Sequence, residues 1–90
     1  SDTTAVALAA TLKAEKCEIY KDVDGIYNLD PKTNKQAFKY DTISYDEMLD
    51  LANNGARILH NKSVKLAKDF NIPIYIKSIY NKNSKGTYIN

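Results

Sequence analysis

Two stretches of this chain carry groups able to handle phosphate. The first runs Tyr20-Lys21-Asp22-Val23-Asp24-Gly25-Ile26-Tyr27-Asn28-Leu29-Asp30-Pro31-Lys32. Its apolar alternation predicts a strand that ends in an Asp-Gly turn and feeds an exposed loop. Ligands of open α/β sheets collect beyond the carboxyl ends of strands. There, Asp22 can accept hydrogen bonds from a ribose or base, Tyr27 can cover an adenine face and Lys32 can reach a phosphate. The same residues also suit a plain hairpin turn with solvated charges, because Asp-Gly and Asp-Pro are common turn formers. The second stretch is the opening of the first helix. Free amides and the positive end of the helix dipole attract anions there, and Ser1 and Asp2 add a hydroxyl and a carboxylate. Taken alone, an ordinary N-cap is the better account of those two residues.

Two further reactive types belong to structure. Cys17 opens an apolar run, and a lone buried cysteine behaves as a small hydrophobe. A nucleophilic cysteine needs a base, and nothing local pairs Cys17 with His60, the sole histidine.

The elements that must position these groups follow from periodicity and punctuation. Ala5, Leu8, Ala9 and Leu12 recur with helical spacing and predict an inward face of a helix over 3–14. Residues 17–23 read as a strand, and 26–38 as an irregular polar loop of a length that is usually functional or disordered. Ser44 and Glu47 form a capping box for a helix facing inward through Tyr45, Met48, Leu49 and Ala52 and ending at Gly55. A third helix is predicted over 63–70, with Leu66, Ala67 and Phe70 inward, Asn71 in the left-handed terminal position and Pro73 beyond. Strands over 73–79 and 87–89 flank a polar loop. Alternating helices and strands indicate an α/β sheet. Such a small sheet leaves an open edge, and Ser1 stands already at a helix mouth, so a fragment of a larger domain is expected.

Bulk properties set limits. Ninety residues make one domain at most. The 43% apolar and 27% charged fractions are ordinary for a globular protein. A net charge of +2, from 13 basic and 11 acidic side chains, is too small to argue for nucleic acid or a membrane surface. No run reaches the roughly 18 apolar residues of a membrane span. A single cysteine fits a reducing, cytoplasmic compartment.

The segment Asp22-Val23-Asp24-Gly25-Ile26-Tyr27 followed by Asp30-Pro31-Lys32 resembles the nucleotide loop of the amino-acid kinase family. That loop alone does not separate aspartokinases from glutamate 5-kinases or uridylate kinases. Three more stretches resemble the aspartokinase branch: Ser1-Asp2-Thr3-Thr4-Ala5-Val6-Ala7-Leu8-Ala9, the block from Ile43 through Met48 to His60, and Ser63 through Pro73-Ile74 with the late Gly86-Thr87. The resemblance covers essentially residues 1–90. It implies a three-layer αβα sandwich of the carbamate kinase-like type, here its C-terminal, ATP-binding part. It also implies transfer of the γ-phosphoryl of ATP, bound with Mg2+, to the side-chain carboxylate of L-aspartate, the first step toward lysine, threonine and methionine.

By position, the resemblance has Ser1 contact aspartate, Asp2 orient catalytic groups, Lys21 and Asp22 meet the nucleoside, Tyr27, Asp30 and Lys32 line the ATP site, and Arg57 lie near the phosphates. No residue is implied as a metal ligand. His60 falls in a helix connection, where a structural or capping role is expected. Lys21 stands where threonine is common, Arg57 where lysine is common, Lys32 where arginine is usual and Asn61 where proline is frequent. Arginine and lysine hold phosphate differently. The family's N-terminal lysine- and glycine-rich segment and its ACT modules lie outside these residues, so the parent kinase's remainder is an expected partner, in a homo-oligomer, and the chain alone is expected to be inactive. A family member with another acceptor, or a non-catalytic nucleotide-binding module, fits the same loop.

Overall fold

In the computed structural model, which describes residues 1–56, 58–81 and 83–90, seven elements follow in order: α1 (Asp2–Thr11), β1 (Cys17–Lys21), β2 (Thr42–Ile43), α2 (Tyr45–Asn53), α3 (Asn61–Phe70), β3 (Ile74–Ser78) and β4 (Thr87–Ile89). Each helix begins on a side chain that satisfies an otherwise orphaned amide. The Ser1 hydroxyl accepts from the Thr4 amide at 3.3 Å. The Ser44 hydroxyl accepts from the Glu47 amide at 3.0 Å and donates to the Glu47 carboxylate at 3.1 Å, so Ser44 caps α2 as expected, with Glu47 held on its hydroxyl rather than on its amide. His60 Nδ1 accepts from the Lys62 amide at 3.1 Å, which starts α3 two residues before the predicted Ser63 and gives His60 the capping role. Asn71 terminates α3 at φ 54° and ψ 42°, in the left-handed region.

The four strands form one mixed sheet in the order β1-β3-β4-β2. β1 runs parallel to β3, with Cys17 beside Ile74 and Ile19 beside Ile76. β3 and β4 are antiparallel, with Ile74 opposite Ile89 and Ile76 opposite Thr87. β2 is parallel to β4. Directly paired residues share a face, so Cys17, Ile19, Ile74, Ile76, Ile89 and Ile43 form one apolar surface. It is buried with Val6 and Ala9 of α1, Met48 of α2, and Val64 and Ala67 of α3. Each large aliphatic group buried this way contributes about 1.5–3 kcal/mol of transfer free energy. The opposite face presents Tyr75 and Tyr88, stacked with ring centroids 4.0 Å apart, and the ammonium groups of Lys16 and Lys77 lie over the Tyr75 ring. Cys17 is buried as expected, and burial pushes its thiol above the usual range, reinforced by the nearby Asp2 carboxylate.

The structure corrects several sequence expectations. α1 buries Ala9 as expected, but its partner in the core is Val6, whereas Leu8 and Leu12 are exposed. Phe70 is also exposed, at 58%, and Val64 and Ser63 take the inward positions on α3. β1 stops at Lys21 rather than at Val23, and the two-residue β2 had no counterpart in the sequence pattern.

Candidate functional site

The carboxyl end of β1 and the first turn of α1 meet on the same side of the sheet. Lys21 Nζ lies 2.5 Å from Asp2 Oδ2, each side chain a little under one-third exposed. Both residues line an open concavity of about 500 Å³, together with Ala52 of α2, Ala56, Ile58, Leu59 and His60 of the α2–α3 connection, and Asn61 of α3. That volume falls within the range of small-molecule sites.

The N-terminus of α3 opens into the same space, because His60 and Asn61 belong to its first turn and its wall. α1 and α3 lie side by side in parallel. At their N-terminal ends the Thr3 hydroxyl and the fully buried Ser63 hydroxyl are 2.7 Å apart. Toward their C-terminal ends Ala10 and Thr11 share an apolar groove with Leu66 and Phe70. The starts of two helices therefore border one cavity and bring their partial positive charge to it, although the Thr4, Lys62 and Ser63 amides are already taken by Ser1 and His60. Helix starts favour anions in general.

The loop that follows β1 is held by its own short ladder. The Tyr40 amide donates to the Ile26 carbonyl at 2.9 Å, the Asn28 amide donates to the Phe38 carbonyl at 3.1 Å, and Tyr27 bridges Lys39. The Tyr27 hydroxyl donates to the Asp24 carboxylate at 2.9 Å. Burial, followed by this bond, pushes the Tyr27 phenol upward and keeps it protonated. Asp30 Oδ1 accepts from the Lys32 amide at 2.9 Å, an Asx turn at the exposed tip.

The residues nominated from sequence thus divide into groups. Asp2 and Lys21 come together in the cavity wall, with Ser1 beside them as the exposed cap of α1. Asp22 is exposed immediately beyond Lys21. Tyr27, Asp30 and Lys32 lie on the loop beyond β1 and do not line this cavity. Arg57 falls outside the described residues. The Thr3–Ser63 contact, and the role of His60 and Asn61 as cavity wall, escaped the sequence reading. Ser63 carried the one usable signal, a buried hydroxyl position at a helix start. Among the described residues, no group of three His, Cys, Asp or Glu side chains is placed to hold a metal ion, and no helix is long and apolar enough to cross a membrane.

Known proteins resemble this arrangement in both sequence and shape. The amino acid kinase family profile matches residues 1–78. An aspartokinase of Geobacillus stearothermophilus is 54% identical over 89 residues, which is 99% of this chain and 22% of that protein. The crystal structure of aspartate kinase from Synechocystis superposes with a TM-score of 0.90 at 46% identity, covering 99% of this chain and 15% of that one. Escherichia coli aspartokinase III, crystallised in complex with aspartate and ADP, gives a TM-score of 0.89 at 34% identity, covering 98% of this chain and 20% of that one. The chain therefore spans about a fifth of the length of the curated relatives it matches. The αβα sandwich implied by the sequence is the fold these structures share with it. With relatives named aspartokinase aligned along nearly its whole length and a family profile covering most of it, the chain belongs to the amino acid kinase family.

Proposed function

We propose that these 90 residues are the nucleotide-binding part of an aspartate kinase, which transfers the γ-phosphoryl group of MgATP to the side-chain carboxylate of L-aspartate. The observation that carries this reading is the convergence of two helix N-termini, tied by Thr3 and Ser63, on the cavity walled by the Asp2–Lys21 pair. The aspartate and ADP named with the Escherichia coli relative match what that convergence would attract.

The chemistry asks little of the protein beyond placement and charge. A carboxylate oxygen of aspartate attacks the γ-phosphorus, the bond from that phosphorus to the β,γ-bridging oxygen breaks, and ADP leaves. The acceptor is already ionised, so no general base is required, and His60 is free to cap α3. What must be overcome is repulsion between two anions, which positioned donors and cations offset. The helix amides at Asp2 and Asn61 supply donors toward the phosphates. Lys21 supplies an ammonium, and Arg57 is assigned beside the phosphates. Asp2 orients catalytic groups, with its carboxylate held by Lys21, and Ser1 at the lip contacts aspartate. Asp22 accepts from the nucleoside, while Tyr27, Asp30 and Lys32 on the flanking loop cover it. Magnesium enters with the nucleotide as MgATP.

Full turnover belongs to the parent kinase, working in the cytoplasm as a homo-oligomer on the route to lysine. Calorimetric titration of the purified chain with MgATP tests the reading. Binding is expected near the millimolar end of ordinary substrate constants, weakened about tenfold by Asp22→Ala through loss of a charge-assisted hydrogen bond. An unchanged affinity in that variant removes Asp22 from the site. Aspartate-dependent ADP release by the isolated chain is expected to be absent, and detecting it would refute the assignment of turnover to the longer protein.

A further inference from the structure

The last strand reaches back across the sheet to the loop after β1. Thr87, at the start of β4, is fully buried. Its hydroxyl accepts from the Ile26 amide at 2.9 Å and donates to the Tyr40 carbonyl at 2.5 Å. Ile26 and Tyr40 are the two ends of the loop, so one oxygen ties both of its legs to the sheet. Gly25 allows this approach. A Cβ placed there would stand 2.6 Å from the Thr87 hydroxyl oxygen and 2.8 Å from Lys39 Cδ.

A second tie lies one turn of chain away. The Lys39 ammonium donates to the Lys85 carbonyl and to the Ser84 hydroxyl at 3.5 Å, and it stands 3.8 Å from the Asp24 carboxylate. Asp24 in turn accepts the Tyr27 hydroxyl. The series Ser84–Thr87, Lys39, Asp24, Tyr27 thus runs without a break from the penultimate turn to the aromatic ring assigned to the nucleotide.

We propose that the Ser84–Thr87 segment is a latch that positions the nucleotide loop, with Thr87 and Lys39 as positioning residues that touch no substrate. The role in binding rests on the reading of that loop as nucleotide-binding. The geometry of the latch stands apart from it. A hydroxyl is required at position 87 because it serves as acceptor and donor at once, which an isosteric valine cannot do. Valine leaves a buried amide and a buried carbonyl unpaired, and the loop ends open more often.

Amide hydrogen exchange of Ile26 and calorimetry with MgATP, on the same 90-residue chain, decide the matter. Thr87→Ser is expected to keep Ile26 protection and MgATP affinity within about twofold of wild type. Thr87→Val is expected to lower both by at least about tenfold, because a buried amide and a buried carbonyl each lose their partner, while β1 and β3 amides keep their protection. Lys39→Met, a change at a partly exposed side chain that leaves the core intact, is expected to weaken MgATP by severalfold; it carries the test if Thr87→Val fails to fold. Wild-type binding of MgATP with the affinity of Thr87→Val or of Lys39→Met unchanged overturns the latch. Failure of the wild-type chain to bind MgATP instead overturns the functional reading, and with it any role of the latch in binding.

Discussion

The contact between Thr3 and Ser63 joins residues 60 positions apart, and it holds two helix mouths at one cavity. Its strength can be worked from its surroundings. A neutral hydroxyl–hydroxyl bond contributes about 1 kcal/mol net. Ser63 is fully buried, whereas Thr3 is half-buried and can recover a water when its partner is lost. In Ser63→Ala the lost bond is partly offset by the better helix propensity of alanine, about 0.5 kcal/mol. The single variant should therefore lose only about 0.5 kcal/mol.

A double-mutant cycle with Thr3→Val separates the contact from propensity and packing, since those single-site effects cancel. The expected coupling is about 1 kcal/mol, read as shifts in urea midpoint at constant slope. Non-interacting sites depart from additivity by about 0.3–0.5 kcal/mol, so a coupling inside that band would mean that the two helix ends are not tied. The same variants titrated with MgATP are expected to lose affinity, because donors splayed apart no longer converge on one anion. Full stability coupling with unchanged MgATP affinity would refute the link from this contact to the site.

Tyr45→Phe removes the hydrogen bond from the Tyr45 hydroxyl to the Ile72 carbonyl, 2.9 Å long, at a cost of about 1 kcal/mol at neutral pH. Burial raises the Tyr45 phenol above its ordinary value of 10.0, so the folded state favours the protonated form. That share of stability is whole below pH 10 and is lost as pH climbs from there through the raised folded value; denaturation of the Phe variant should show a smaller alkaline loss, and parallel pH profiles would contradict this. Gly86→Ala would set a Cβ 1.8 Å from the Ile76 carbonyl oxygen. Backbone must move, and the thermal midpoint should fall by at least about 10 °C, a drop under about 4 °C being incompatible with the close approach. Lys21→Thr should leave MgATP affinity within about tenfold of wild type. A hundredfold loss would show that Lys21 itself supplies the affinity.

Sequence patterns conveyed local structure well and long-range placement poorly. Ser44 with Glu47, and Asn71 before Pro73, announced their helix ends because the interactions concerned span three or four residues. Ile74 and Ile76 announced a half-buried strand by simple alternation. α1 was misread because its ten residues are alanine-rich and apolar on every side, so periodicity could not tell the Val6 and Ala9 face from the Leu8 and Leu12 face; packing against Val64 and Ala67 chose. Phe70 sits in the last turn of α3, in the groove it shares with Ala10, Thr11 and Leu66 rather than in the core. β2 is too short for any period to show. At the site, Asp2 and Lys21 were each legible, whereas their pairing, the Thr3–Ser63 tie and the Thr87 bridge depend on topology alone.

On the proposed reading, the electrostatics of the cavity leave much of the phosphate binding to backbone. Lys21 and Asp2 are charged wall residues in contact, and they offset each other. A phosphate that reaches Lys21 exchanges one carboxylate partner for another anion, a trade of two similar ion pairs that yields little net free energy. The remaining attraction comes from the mouths of α1 and α3, each equivalent to roughly half a positive charge. Fields of that size suit a triphosphate already part-neutralised by its magnesium better than a bare polyanion. Because amide dipoles are fixed by the fold, they would need no reorganisation as charge shifts from the acceptor oxygen to the β,γ-bridge, which is the property the proposed phosphoryl transfer requires. Side-chain identity at position 21 would then be freer to vary than the parallel alignment of the two helices, to which the Thr3–Ser63 contact and the His60 cap at the start of α3 contribute.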